Sequence, residues 1–161
     1  MLKSTDITSE TTISQRNKAA KSNLIEFCKK QTEGVKEVQI VDLVESFSDG
    51  KAFLAMLHNM NNNLFNDWNK INELSVLDRF KLAFETAEKE FGIPQLLDPL
   101  DLVNPDPFAR PDEKCLMTYI SEFPLALIHA VRFIFIIIIY YFYYFLFLLI
   151  LFIIFIIISP S

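Results

Sequence analysis

Between residues 18 and 128 the apolar positions recur at helical spacing, with no strand-like alternation of useful length. Ala20, Leu24, Phe27 and Cys28 fall on one side of a first helix predicted from Lys18, leaving Lys21, Glu26 and Lys29 to solvent. Gln31-Thr32-Glu33-Gly34 ends it, because glycine adopts the left-handed conformation after a last turn without steric cost. Asp49 is placed to cap a second helix from Lys51 to His58, whose Phe53, Leu57 and Met60 form a narrow stripe. The strongest pattern starts at Ser75, an N-cap, and runs through Leu77, Phe80, Phe84, Ala87 and Phe91. Gly92 closes that helix and Pro94 prevents its continuation. A last amphipathic helix is predicted from Pro111, with Asp112 and Glu113 complementing the helix dipole in its first turn and Leu116, Tyr119, Ile120 and Phe123 facing inward. The fold class is therefore all-α, a helical bundle over residues 18–128. Its expected core is Leu24, Phe27, Phe53, Leu57, Phe80, Phe84, Leu116, Tyr119 and Ile120, gathered around the Ser75 to Phe91 helix.

Two flanking segments break the pattern. Residues 1–17 are polar, rich in Ser and Thr and without periodicity, which predicts a flexible arm that buries too little apolar area to order itself. They also contain no apolar stretch of the kind a secretory signal needs. The opposite holds for the tail, residues 129–161, in which residues 133–158 consist only of Phe, Ile, Leu and Tyr. As a helix those residues span about 39 Å, enough to cross a hydrocarbon core of ~30 Å. If the run inserts, Arg132 before it and no charge after it place the preceding domain in the cytosol, the arrangement of a tail-anchored protein. Tyr140, Tyr141, Tyr143 and Tyr144 nevertheless lie nearer the middle than an interface, and no Gly, Ala or Ser offers a packing face. T-rich codons write these same residue types, so a run translated through an AT-rich intron or past a frameshift has this composition too. Anchor and mistranslated segment are both consistent with the sequence.

Charge separates the two parts. All fifteen Lys and Arg and all twenty Asp and Glu stand at or before Arg132, so the net charge of −5 belongs to the helical domain. An acidic domain without a long basic run disfavours nucleic acid as a partner. Cys28 and Cys115, each among apolar residues at helical spacing, are expected as buried free thiols of a cytoplasmic protein. His58 and His129 have no metal-ligand spacing to Cys, Asp or Glu, which predicts no metal site. His58, at the end of the second helix, is expected to be hydrogen-bonded at the edge of the core. The three glycines cannot write a phosphate-binding loop, and each is explained by a turn or a helix end. Asp98, Asp101 and Asp106 lack the glycine and terminal Glu of a calcium loop. Glu85, Glu88 and Glu90 beside Lys81 and Lys89 read as a solvated helix face. With no nucleophile beside a base, the sequence predicts no enzyme, no cofactor and no small-molecule substrate.

Four ordered motifs carry a resemblance. Leu24 to Gly34 (LIEFCKKQTEG), Val41 to His58 (VDLVESFSDGKAFLAMLH), Leu82 to Val103 (LAFETAEKEFGIPQLLDPLDLV) and Arg110 to Phe123 (RPDEKCLMTYISEF) are similar to successive segments of calponin-homology domains. The resemblance is strongest to the second domain of the tandem actin-binding regions of alpha-actinin, spectrin, filamin and cortexillin relatives. Phe27 and Phe47 stand where the family usually has Trp, a volume-tolerant exchange, and Pro105 to Ala109 lengthen a surface loop at small entropic cost. The resemblance implies a binding module of the actin cytoskeleton, located in the cytoplasm, with filamentous actin or another cytoskeletal protein as partner. In the family the first domain of the pair carries most of the filament contact, so one copy implies an accessory or regulatory domain that binds actin weakly alone. The opening helix can add a minor part of that contact, which makes Lys18, Lys21, Lys29 and Lys30 candidate actin contacts. The alternative is a membrane-tethered adaptor, anchored through residues 133–158, that recruits another protein without touching actin.

Overall fold

The computed structural model describes the backbone of residues 4–158 and the side chains of residues 12–151. Among the described residues six α-helices follow one another: α1 (Ser4–Gln31), α2 (Lys51–Met60), α3 (Trp68–Glu73), α4 (Val76–Phe91), α5 (Pro99–Leu102) and α6 (Glu113–Ile158). Short 3₁₀ turns stand at Glu45–Phe47 and Pro107–Ala109, and the described residues contain no strand. The chain divides into two compact units, Met1–Pro124 and Leu125–Ser161. The division falls at Pro124 inside α6, which has no N–H to give the carbonyl four residues back.

The helix boundaries follow the local chemistry closely. Ser75 caps α4 through its side chain, which accepts from the Asp78 N–H, and Gly92 ends it at φ +67°. Asp49 does serve the start of α2 by accepting from the Lys51 N–H at 2.9 Å, although Gly50 is the residue that turns the chain into the helix. Gly50 stands at φ +78°, and a Cβ there would meet the Arg79 Cβ at 3.1 Å, so both conformation and space require glycine. At the start of α6 it is Asp112 that caps, accepting from the Cys115 N–H at 2.9 Å, and the helix proper begins at Glu113 rather than Pro111.

The first helix is longer than its apolar pattern suggests. Residues 4–17, expected as a flexible arm, continue α1 toward the N-terminus, while Met1 to Lys3 lie outside the described residues. Thr12 to Ala20 are all exposed, so this stretch is held by helix propagation from the docked end and not by packing. Among the described residues α1 becomes partly covered from Lys21 onward, with Cys28 buried and Thr32 buried just past its end. Its end is fixed by Asn59, which donates to the carbonyls of Gln31 and Glu33 at 3.0 Å each, and by Thr32 Oγ1, which donates to the Cys28 carbonyl at 2.9 Å.

The core is an aromatic cluster centred on α2, not on α4 as the periodicity suggested. Ala52, Phe53, Leu54, Ala55, Met56 and Leu57 are buried without a break, so α2 is enclosed on every side. Phe53 is its centre: its ring lies 4.8 Å from Phe47, 5.4 Å from Phe84, 5.5 Å from Tyr119, 6.1 Å from Phe123 and 6.2 Å from Phe80. Seven of the nine expected core residues are buried, whereas Leu24 and Phe27 are half-buried. The Tyr119 hydroxyl sits in this cluster without a hydrogen bond to any described residue, and burial pushes the phenol well above its usual range, with Glu88 adding to the effect.

Arg79 ties three elements together, a role its place in a helical pattern does not reveal. Its guanidinium donates to the carbonyls of Ile71 and Asn72 in the last turn of α3 and to the Asp49 carbonyl before α2, at 3.0 to 3.2 Å. The cation thus sits at the negative end of α3, joining the Leu74 N–H at the Ile71 carbonyl and donating to that of Asn72.

Candidate functional site

The lysines singled out on α1 do not form one equivalent set. At 100° per residue, Lys18, Lys21 and Lys29 share an edge of the helix about 80° wide, with Lys30 about 100° beyond Lys29. Lys21 is drawn in by an ion pair with Glu113 at the start of α6, which pins the two helices together. Lys30 pairs along its own helix with Glu26 at 3.5 Å, both exposed, a contact that contributes little. Lys18 and Lys29 are exposed and make no ion pair among the described residues, about 16 Å apart along the helix axis. They are the two cations of the set left available to a partner.

Across the helix from that edge, about 150° away, Leu24 and Phe27 line an open groove of about 460 Å³ with Ala20, Met117, Thr118, Ser121 and Pro124. Their place in this groove accounts for their incomplete burial. A second depression, about 650 Å³, is bordered by Gly34, Val35, Lys36, Glu37, His58, Asn59, Asn62 and Trp68. His58 is committed there, its Nδ1 hydrogen-bonded to the Leu64 carbonyl and its ring edge-on to Trp68, at the edge of the core as expected.

The two cysteines behave differently, and one departs from expectation. Cys28 is fully buried, and burial pushes its thiol up to about 12, so it stays protonated. Cys115 is exposed instead of buried, because it lies in the first turn of α6, about 40° outside the arc of Leu116, Tyr119, Ile120 and Phe123. Its hydrogen bond to the Asp112 carboxylate raises the thiol and slows its reaction. A disulfide reagent such as DTNB is therefore expected to modify one cysteine per folded chain, slowly and at Cys115, and two after unfolding. Rapid modification of both in the folded chain would contradict the docking of α1.

Asp42 organises the turn before α2. Its Oδ1 accepts from the N–H groups of Val44, Glu45 and Ser46, at 2.7 to 3.3 Å, and these bonds, that from Val44 foremost, hold the carboxyl below its usual range. A lowered carboxylate contributes stability above the ordinary value of about 3.9 that is lost as pH falls through the lowered one. Asp42→Asn is accordingly expected to flatten the acid limb of a stability-against-pH curve below about pH 4. An unchanged acid limb would count against these bonds.

The buried Cys28 thiol is held protonated, and no three His, Cys, Asp or Glu side chains among the described residues come together as metal ligands. What the described surface does present is a helix edge with two exposed cations and, on the opposite side of the same helix, an apolar groove against α6. Comparison with known proteins decides the family. The sequence model of the Calponin homology (CH) domain matches residues 18–128.

The chain belongs to the calponin homology domain family.

The CH match covers the helical domain from the lysine edge of α1 to just past Pro124. Similar proteins include MICAL-like protein 1 of Homo sapiens, 44% identical over 100 residues, which are 62% of this chain and 11% of that protein. Alpha-actinin A of Dictyostelium discoideum is 36% identical over 111 residues, 69% of this chain and 12% of that protein. Sarcomeric alpha-actinin of Drosophila melanogaster is 38% identical over 109 residues, 68% of this chain and 11% of that protein. The chain thus spans only 11 to 12% of the length of these relatives, and what is shared with them is the CH domain.

Proposed function

We propose that this CH domain is a binding module of the actin cytoskeleton, an accessory or regulatory domain that binds filaments weakly alone. The observation that carries this reading is the CH match over residues 18–128 together with the likeness to alpha-actinins. The edge of α1 supplies a means, since Lys18 and Lys29 are exposed, make no ion pair among the described residues and would favour encounter with an acidic protein surface. Residues 133–158 then tether the module to a membrane, with Arg132 on the cytosolic side.

Co-sedimentation with filamentous actin tests the first part, using residues 1–130 so that the apolar tail cannot pellet by itself. Pelleting is expected at concentrations approaching about 100 μM, and it should weaken as salt is raised. Lys18→Glu combined with Lys29→Glu should weaken it by roughly tenfold, whereas Lys30→Glu should change little because Lys30 is already paired. No pelleting above background would end the case for independent filament binding.

One observation favours a second reading. The helix through the uncharged run from residue 133 is long and apolar enough to cross a membrane, which suits a membrane-tethered adaptor that recruits a protein other than actin. Membrane residence that survives loss of filaments, with a pull-down returning a partner other than actin, would establish it.

A further inference from the structure

The tail offers an interaction surface of its own. In the described part of the second unit, Phe133 to Leu151 form a helix whose side chains are all exposed. Every one is apolar except for the hydroxyls of Tyr140, Tyr141, Tyr143 and Tyr144. These four are 53 to 68% exposed, and their hydroxyls make no hydrogen bond to a described residue. At 100° per residue they do not encircle the helix. Tyr143, Tyr140, Tyr144 and Tyr141 follow one another across an arc of about 160°, leaving Phe142, Phe145 and Leu146 on the other side.

Depth makes this arc costly in a bilayer. With Arg132 at the interface, a rise of 1.5 Å per residue puts the tyrosines about 12 to 18 Å into a hydrocarbon core of ~30 Å, around its midplane. Hydroxyls there have neither water nor headgroups as partners, and an unpaired polar group in hydrocarbon is strongly disfavoured. The helix backbone uses its own carbonyls internally, so the partner must come from another molecule.

We propose that the tail helix pairs with the tail of a second copy of this chain through the face of Tyr140, Tyr141, Tyr143 and Tyr144. This rests on the anchor reading given above. A phenolic hydroxyl both donates and accepts, so the band is complementary to itself. All copies inserted with the same orientation carry the band at the same depth, which sets one tyrosine layer directly against another. Ile136 and Ile137 one turn before the band, with Phe147 and Leu148 one turn after it, lie on the same side and pack as apolar layers above and below. The helix has no small residue from Phe133 to Leu151 that would permit close backbone approach, so association depends on these hydroxyl contacts and on interlocking large side chains.

The test uses the full chain in phosphatidylcholine vesicles, labelled with donor or acceptor dye at the exposed Cys115. Energy transfer between chains is followed as lipid dilutes the protein, and carbonate extraction reports insertion separately. The parent chain is expected to keep transferring energy on dilution. The variant with Tyr140→Phe, Tyr141→Phe, Tyr143→Phe and Tyr144→Phe keeps the rings and the apolarity but loses the hydroxyls. It should insert equally well and need roughly tenfold more protein per lipid to reach half-maximal transfer. If parent and variant insert and transfer energy alike, or the inserted parent shows no transfer at high dilution, the tyrosine interface is overturned while the anchor stands. If the parent chain is extracted by carbonate, the anchor reading fails and the pairing fails with it.

Discussion

Phe53→Ala is expected to cost about 3 to 5 kcal/mol, the range for truncating a buried aromatic side chain. That is a large share of the 5 to 15 kcal/mol typical of a domain. The reason lies in its neighbours. Phe53 is completely buried, and its ring touches aromatic rings from the 3₁₀ turn, from α4 and from the first turns of α6, so the cavity left behind is walled by three other elements. Rings held by separate elements cannot all close on one gap, which keeps the cavity term large. Phe84→Ala should fall in the same range, since Phe84 is equally buried and lies 4.7 Å from the Tyr119 ring. Tyr119→Phe should do the opposite: it keeps the ring, removes a hydroxyl that has no described partner, and is expected to leave stability unchanged or raise it. Urea unfolding of residues 1–128, followed by the fluorescence of Trp68, measures all three. A loss below about 1 kcal/mol for Phe53→Ala would place it outside the core.

The second large effect concerns the tail. Ile138→Lys together with Leu146→Lys is expected to convert carbonate-resistant membrane association into an extractable one. On an insertion scale, the fifteen Phe, Ile and Leu residues from Phe133 to Leu151 contribute about −0.3 to −0.6 kcal/mol each, or roughly −5 to −9 kcal/mol in all. Two central lysines add about 5 to 7 kcal/mol, which brings insertion close to balance. Cell fractionation with an antibody against the CH domain reads the outcome. Equal resistance to carbonate in parent and variant would show that residues 133–158 are not what holds the protein to the membrane, and a soluble product lacking the tail would refute the anchor outright.

The sequence determined the parts whose cause is local. Ser75 and Gly92 bound α4 because a side-chain acceptor and a left-handed glycine act within one turn, and the inward stripe of Leu116, Tyr119, Ile120 and Phe123 follows from helical spacing alone. The four CH motifs were readable for the same reason, as each is a contiguous segment. Tertiary structure decided the rest. Periodicity assigns a helix one apolar face, but the number of neighbours sets how many faces are covered, so α2 is enclosed all round while Leu24 and Phe27 remain in an open groove. Cys115 is exposed because its apolar sequence neighbours point elsewhere on the helix. Lys21 and Lys18 look alike in sequence, and only the approach of Glu113, ninety-two residues away, pairs one and leaves the other available. Arg79 reads as one more helix-surface cation until α3 and the Asp49 turn bring their carbonyls to it, since contacts between distant segments leave no trace in local spacing.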